Sequence, residues 1–145
     1  MAVDPEHFRK LERMYHSAPI NAFFRPALTI GEGEAELEIA VRPEFFHAAS
    51  AVHGAVYFKA LDDVAFFAVN SLVTDVFVLT VSFNLYLTRP ISEGTMRAKA
   101  RVTHRSRQLF LAEGEVLDGE GRLIARGSGS FMRSTITLSA EIGYG

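Results

Sequence analysis

The sequence predicts an α+β fold in which an antiparallel sheet wraps around one long, almost entirely apolar helix. The stretch from Val52 to Val73 is apolar at nearly every position, so a helix there needs burial on most of its circumference. Alternating apolar and polar residues predict strands before and after it. Breaks of hairpin length between the later strands favour antiparallel pairing, and a curled antiparallel sheet can cover such a helix.

Composition and charge narrow the class of protein. The 145 residues fit one domain, so we expect a single domain over 1–145 in which residues 1–20 form an N-terminal helix extension. The formal net charge of −2 gives no reason to expect a nucleic acid or a membrane surface as a partner. The absence of cysteine excludes disulfides, thiolate metal sites and a cysteine nucleophile. The first residues lack the basic and apolar segments of a signal peptide, so the expected compartment is the cytoplasm.

The first predicted element is a helix from Asp4 to His16. Asp4 is a suitable N-cap, and Pro5 suits the first helical position. The apolar residues that recur at helical spacing are Phe8, Leu11, Met14 and Tyr15. Ala18-Pro19 ends this helix, which we expect to lie on the surface of the main domain.

From Gly33 to Val41 the pattern changes to a period of two, which predicts a half-exposed strand that Pro43 stops. The glutamates on one face are Glu34, Glu36 and Glu38, and the apolar residues on the other are Ala35, Leu37, Ile39 and Val41. A loop over 44–51 leads to the central helix.

Four further strands are predicted after the central helix, at 76–88, 94–105, 108–118 and 122–134. The second of them carries a mostly basic row on one face, made of Arg97, Lys99, Arg101, Thr103 and Arg105. Glu113 and Glu115 of the next strand are plausible cross-strand partners for this row.

The polar residues of the central helix fall into two groups. Lys59, Asp63 and Asn70 lie within one narrow stripe at helical spacing, and Lys59 and Asp63 have the four-residue spacing of an ion pair. A solvated or paired charge therefore explains Asp63. A membrane span would have to bury these groups at a cost of roughly several kcal/mol, so we interpret the segment as a buried helix of a soluble protein.

Asp62 lies at the edge of this stripe, and its neighbours one turn away are apolar. A carboxylate there is either poorly hydrated or buried against another chain. Burial raises the pKa of a carboxylate and strengthens it as a base, so Asp62 is a candidate catalytic residue. The alternative is a carboxylate that only accepts hydrogen bonds at an interface.

The dipeptide His53-Gly54 opens the central helix. The first N–H groups of a helix have no intrahelical partner and face the positive end of the dipole, and glycine lets a ligand approach closely. Such a helix start can hold a carbonyl oxygen that gains negative charge. Asp62 lies eight residues beyond Gly54, about 12 Å along the axis, so one helix does not readily bring both groups to one reacting centre. A symmetric dimer could bring them together.

The segment from His53 to Asp62, His-Gly-Ala-Val-Tyr-Phe-Lys-Ala-Leu-Asp, resembles the signature of hotdog-fold acyl-CoA thioesterases of the PaaI type. In that family a His-Gly-Gly opens the central helix and an acidic residue follows nine positions after the histidine. The resemblance covers roughly residues 30–134. It implies a hotdog fold, a homo-oligomer (a dimer, often paired into a tetramer) and active sites at the dimer interface. CoA enters as part of the substrate, and neither a separate cofactor nor a metal is implied.

The resemblance also implies roles for individual residues. The Gly54 N–H corresponds to the oxyanion-binding amide, Asp62 to the catalytic carboxylate that acts as base or nucleophile, and Thr80 to the residue that helps place the attacking water. Two positions depart from the pattern: Ala55 replaces the second glycine, and His47 replaces an asparagine six positions before the histidine. A histidine there can still donate a hydrogen bond to a thioester or orient water, but its response to pH differs.

Further residues are candidate substrate contacts. His53 and Ala55 would act at the helix start, His53 through its main chain more than its ring. Phe58 and Phe66, with Phe83, are candidate walls of an acyl pocket or simply core residues. The candidates for binding the CoA phosphates are Arg89, Arg105 and Arg107, and an ordinary solvated basic face is the alternative explanation for each of them.

Two other functions stay open at this point. The first is a hotdog hydratase or dehydratase that pairs His47 with a carboxylate across an interface, although the Pro-Gly turn that opens the helix in acyl-carrier-protein dehydratases is missing. The second is a non-catalytic module that binds acyl-CoA and has no need of Asp62.

Overall fold

The computed structural model describes residues 2–145. The helices are α1 (Pro5–Ser17), α2 (Asn21–Phe24) and α3 (Gly54–Asn70), and the strands are β1 (Ala27–Gly31), β2 (Glu34–Ala40), β3 (Val76–Leu87), β4 (Thr95–Arg105), β5 (Leu109–Leu117) and β6 (Leu123–Thr137). Short 3-10 turns occupy Pro43–Phe45 and Ala140–Ile142.

The strands form one antiparallel sheet in the order β1-β2-β4-β5-β6-β3, and α3 packs against all six of them. Leu61, Val64, Ala65 and Ala68 of α3 are completely buried at the centre of the core. The predicted architecture, an antiparallel sheet around a central helix with an extra N-terminal helix, is therefore confirmed. No helix within 2–145 combines the length and the apolar character that crossing a membrane requires.

The structure differs from the prediction in two elements near the N-terminus and in the strand that pairs with β3. The helix α2 and the strand β1, which pairs with β2, were not predicted, because each is too short to show a clear period. The expectation that each later strand is joined to the next by a hairpin is wrong for β3 and β4. β3 pairs with β6 instead, so the connection over 88–94 is a crossover and β3 forms an edge of the sheet.

The basic row predicted on one face of β4 is present as far as Arg101, where a β-bulge follows. Arg101 forms a 2.9 Å ion pair with Glu113, and Lys99 lies opposite Glu115, as expected. A shift in register between Val102 and His104 then turns the strand, so that Arg105 lies opposite the buried Phe110 and leaves the row. The bulge adds one residue and therefore reverses the alternation beyond it.

Helix α1 covers the polar stripe of α3. Its N-cap Asp4 accepts from the Glu6 N–H, and its apolar face packs on the core. The Tyr15 hydroxyl donates to Asp63 at 2.6 Å, and Lys59 forms an ion pair with the same carboxylate at 2.6 Å. The explanation of Asp63 as a paired charge is confirmed, and its partners are a lysine and a tyrosine at a helix interface.

A second polar contact joins α1 to the end of α3 and to the C-terminal residues. The buried ring of His7 is hydrogen-bonded through Nε2 to the main-chain oxygen of Asn70 at 2.9 Å, so Nε2 carries the proton. Its Nδ1 then accepts from the Tyr144 hydroxyl at 2.7 Å. Burial, with a smaller contribution from Lys10, lowers the pKa of His7 although the main-chain hydrogen bonds oppose this. The neutral imidazole therefore fits this position.

We expect His7→Gln to make the free energy of unfolding less dependent on pH under acidic conditions. Unfolded His7 takes up a proton near its ordinary pKa of 6.5, whereas the folded protein resists this. The stability that neutral His7 contributes is complete above that pKa and is lost as the pH falls toward the lowered folded value. Urea unfolding between about pH 7.5 and 5.5 should show a larger stability loss for the wild type than for His7→Gln. Parallel pH profiles for the two proteins would contradict this prediction.

Candidate active site

The N-terminus of α3 is fixed by a cap that uses the ring of His53. The His53 Nδ1 accepts a hydrogen bond from the Ala55 N–H at 2.9 Å, and the His53 N–H donates to the Phe45 main-chain oxygen at 2.8 Å. The ring therefore has a structural function, which the sequence did not indicate because Ser, Thr, Asp and Asn are the usual capping residues.

Gly54, the first residue of α3, presents a free donor. Its N–H has no acceptor among residues 2–145, whereas the next N–H is bound to the cap. A Cβ atom at this position would lie 3.0 Å from the Leu87 Cδ1 of β3, so glycine also permits the close approach of that strand. The positive end of the helix dipole and an unpaired amide together favour an oxygen with negative charge at this point.

Asp62 lies on the side of α3 that faces β3. Its Oδ1 accepts a hydrogen bond from the Thr80 hydroxyl at 2.9 Å. Burial raises the pKa of Asp62, and the neighbouring charge of Asp63 adds to this, while the Thr80 hydrogen bond and the charge of Lys59 lower it. The result is a partly desolvated carboxylate with a raised pKa and one hydroxyl partner, which is the environment of a general base.

A β-bulge in β3 lies directly after Thr80. Thr80 lies opposite Phe131 and Ser82 lies opposite Ser130, so Val81 is an extra residue between them. Thr80 points toward α3, on the same face as the buried Val78 and Phe131, and the bulge reverses the alternation beyond it. Bulges often redirect side chains beside an active site. The local sequence does not predict this one.

The other candidate residues divide between the exposed face of α3 and the core. Ala55 and Phe58 are exposed on the same side of the helix as Asp62, and Phe58 is 40% exposed. Phe66 lies in the interior, with its ring centroid 5.0 Å from that of Phe77. The structure thus brings Phe58, but not Phe66, to the open face beside Asp62.

The loop histidine and the arginines are exposed. The His47 Nδ1 accepts from the Ala49 N–H at 3.0 Å, which leaves its Nε2 available to a ligand. Arg89 and Arg107 are held through their main-chain oxygens, which accept from the Tyr57 hydroxyl at 2.9 Å and the Arg133 Nε at 3.1 Å. Within residues 2–145 neither arginine side chain has an acidic partner, and both remain free for an anion.

The edge strand β3 borders the site, and among residues 2–145 its strand partner is β6 alone. Three of its apolar side chains are exposed: Leu79, Val81 and Leu87. A strand of 12 residues with one free edge and exposed apolar side chains is suited to pairing with another chain.

The comparisons with known proteins agree with this architecture. The family model described as Thioesterase superfamily matches residues 49–125. A Mycobacterium tuberculosis protein that is classed provisionally as an esterase is 30% identical over 102 residues, which are 68% of this chain and 73% of that protein.

Solved structures show the same fold. The PaaI protein of E. coli, from the phenylacetic acid degradation operon, superposes with a TM-score of 0.86 at 18% identity and covers 95% of this chain and 100% of its own. The structure of the Mycobacterium tuberculosis relative superposes with a TM-score of 0.77 at 26% identity and covers 81% and 97%.

We expect Thr80→Val to raise the pKa of Asp62 further, because the hydroxyl that stabilises the charged carboxylate is lost. Titration of the Asp62 carboxyl carbon by NMR measures the change directly. The matched control is Thr80→Ser, which keeps the hydroxyl and should retain the wild-type value. An unchanged pKa in Thr80→Val would show that the two side chains do not interact in solution.

Proposed function

Because this chain belongs to the thioesterase superfamily, we propose that it hydrolyses acyl-CoA thioesters to a free acid and CoA. The observation that carries the proposal is the pair formed by Asp62 and Thr80 at 2.9 Å, on the open side of an otherwise buried helix. A carboxylate in that environment is suited to activate water, and a thioester needs little more because the thiolate is a good leaving group.

The proposed site is completed by a second copy of the chain. Gly54 and Asp62 lie about 12 Å apart along one helix, so a single protomer does not offer both groups to one carbonyl. Pairing of two β3 edges around a two-fold axis would bring the helix start of one protomer toward the Asp62 of its partner, and would cover the exposed apolar side chains of this strand. A pair of such dimers would form a tetramer.

In the proposed mechanism the thioester oxygen accepts a hydrogen bond from the Gly54 N–H. Asp62 of the other protomer removes a proton from a water molecule that Thr80 helps to position. The water oxygen attacks the carbonyl carbon, and the Gly54 N–H stabilises the negative charge that develops on the carbonyl oxygen. The tetrahedral intermediate collapses with cleavage of the carbon–sulfur bond, and the proton passes from Asp62 to the departing thiolate.

A second route uses Asp62 as the nucleophile. Its carboxylate attacks the carbonyl carbon and expels the CoA thiolate, and water then opens the mixed anhydride. A single turnover in oxygen-18 water distinguishes the routes, because the nucleophilic route can leave the label in the Asp62 carboxylate and the general-base route cannot.

The remaining proposed contacts are exposed residues of the same chain. Arg89 and Arg107 have free guanidinium groups that suit the CoA phosphates. Phe58 offers an apolar surface to the acyl group one helical turn from Asp62. His47, through its Nε2, is a candidate donor to the thioester or to water.

We expect Asp62→Asn to lower thiol release from acyl-CoA by at least about 100-fold, the usual contribution of a positioned base, while the protein stays folded. The amide can still accept from Thr80, so the local structure is retained. The matched control is Asp75→Asn, an exposed carboxylate paired with Arg133, which should keep wild-type turnover. Near-normal turnover in Asp62→Asn would refute this assignment.

The same assay separates the competing functions. Saturated acyl-CoA and enoyl-CoA are offered separately. Release of free thiol from saturated acyl-CoA supports hydrolysis, addition of water to enoyl-CoA would identify a hydratase, and binding without turnover would identify a binding module.

The two-subunit site predicts complementation between inactive variants. Gly54→Pro removes the amide hydrogen of this residue. Proline fits there because Gly54 is the first helical residue and the preceding residue, His53, has an extended backbone with φ −65° and ψ 143°. Gly54→Ala is the control, since it crowds Leu87 in a similar way but keeps the amide. Random exchange between Gly54→Pro and Asp62→Asn chains yields heterodimers with one intact site, so activity should recover to about one quarter of wild type. Persistent inactivity of the mixture, when mass spectrometry detects heterodimers, would contradict a shared site.

A further inference from the structure

The ring of Phe83 lies directly on the backbone of β6 at two glycines. A Cβ atom at Gly129 would lie 2.5 Å from the Phe83 Cδ2, and one at Gly127 would lie 2.8 Å from its Cε1. Real Cβ atoms do not approach other atoms so closely, so the ring and a side chain at either position exclude each other. The two glycines thus create a slot on the inner face of the sheet, and Phe83 fills it.

Phe83 also closes the gap between the sheet and α3. Its ring packs edge to face on Phe58, with centroids 5.7 Å apart and planes at 87°. Phe58 precedes Asp62 by four residues, about 6 Å along the helix. The two rings therefore form a wall one helical turn from the carboxylate that accepts from Thr80.

The β-bulge at Val81 is the reason that this wall stands beside Asp62. Thr80 and Phe83 are three residues apart, so in a regular strand they would point to opposite faces. The extra residue brings both to the inner face, as their partners Phe131 and Gly129 show. Behind the ring the core is closed, because Phe131 is fully buried and its ring would lie 3.1 Å from a Cβ at Gly129.

We infer that Phe83 is a specificity-determining residue that sets the upper limit on the length of the acyl group. An acyl chain that enters beside Asp62 meets the Phe58–Phe83 wall, and the slot over Gly127 and Gly129 behind it is already occupied by the protein's own ring. This inference rests on the proposed hydrolysis of acyl-CoA. It assigns compact acyl groups as substrates and long straight chains as poor ones.

The test measures kcat/KM for butanoyl-, octanoyl- and dodecanoyl-CoA in the wild type and in a graded series at position 83. Truncation in Phe83→Ala opens the slot and should raise the octanoyl-to-butanoyl ratio at least about tenfold, since each methylene bound in an apolar pocket contributes a factor of this order. Phe83→Leu should give an intermediate ratio, and Phe83→Trp a ratio below wild type. The matched control is Tyr86→Ala, which truncates a 63% exposed aromatic residue of the same strand and should keep the wild-type ratio.

A double-mutant cycle tests the slot without an activity measurement. Gly129→Ala should lower the midpoint of thermal unfolding in the wild type, because the added methyl group collides with the ring. In the Phe83→Ala background, or in Phe83→Leu if the alanine variant does not fold, the same methyl group enters vacated space and should cost clearly less.

The outcomes separate the two proposals. An unchanged acyl-length ratio in an active Phe83→Ala variant, or an equal cost of Gly129→Ala in both backgrounds, would overturn the role of Phe83 and leave the proposed hydrolysis intact. If the wild type releases no thiol from any acyl-CoA, the proposed function is overturned. The specificity role of Phe83 then falls with it, even if the double-mutant cycle confirms the slot.

Discussion

The burial of α3 is the constraint on which the rest of the molecule depends. A helix that is apolar on nearly all sides must be covered, and six strands together with α1 cover most of it. The cover is incomplete along one line, where Ala55 and Phe58 are exposed and Asp62 is half-buried. This line runs from the free amide of Gly54 to the carboxylate that Thr80 contacts, so the gap in the core and the candidate site are the same place.

Two adjacent carboxylates on α3 have different surroundings, and only Asp62 is proposed to take part in the chemistry. Asp63 has a lysine and a tyrosine as partners, and its hydrogen bonds fix α1 on the core. Asp62 points to the other side and accepts from the Thr80 hydroxyl. Burial raises the pKa of both carboxylates; the effect that chiefly opposes this is the charge of Lys59 at Asp63 and the Thr80 hydrogen bond at Asp62. Neighbouring titratable groups in unlike surroundings are a common arrangement for acid–base chemistry.

The sequence was sufficient for the parts of the fold that depend on periodicity. The alternation of β2 and the apolar run of α3 are local signals, and both elements lie close to their predicted bounds. The His53–Asp62 segment likewise directed attention to the exposed face of α3, because a carboxylate among apolar neighbours is informative without any structure.

Other features depend on contacts between distant segments, which no local pattern encodes. The position of β3 at the edge follows from its pairing with β6, although β4 is closer in sequence. The bulge at Val81 follows from register, and the two glycines of β6 are explained by atoms of another strand, chiefly the Phe83 ring at Gly129 and that ring with the Asn84 main-chain oxygen at Gly127. The cap formed by His53 was missed because histidine is a rare residue at that position.

The separation of Gly54 from Asp62 along one helix has a consequence for the cell. In the proposed assembly a single protomer is inactive, so the concentration of the protein determines what fraction of the chains is active. At high dilution the number of competent centres grows with the square of the amount of protein and becomes proportional to it only once association is complete. A newly synthesised chain of the proposed enzyme would therefore hydrolyse no acyl-CoA until it associates with a second copy.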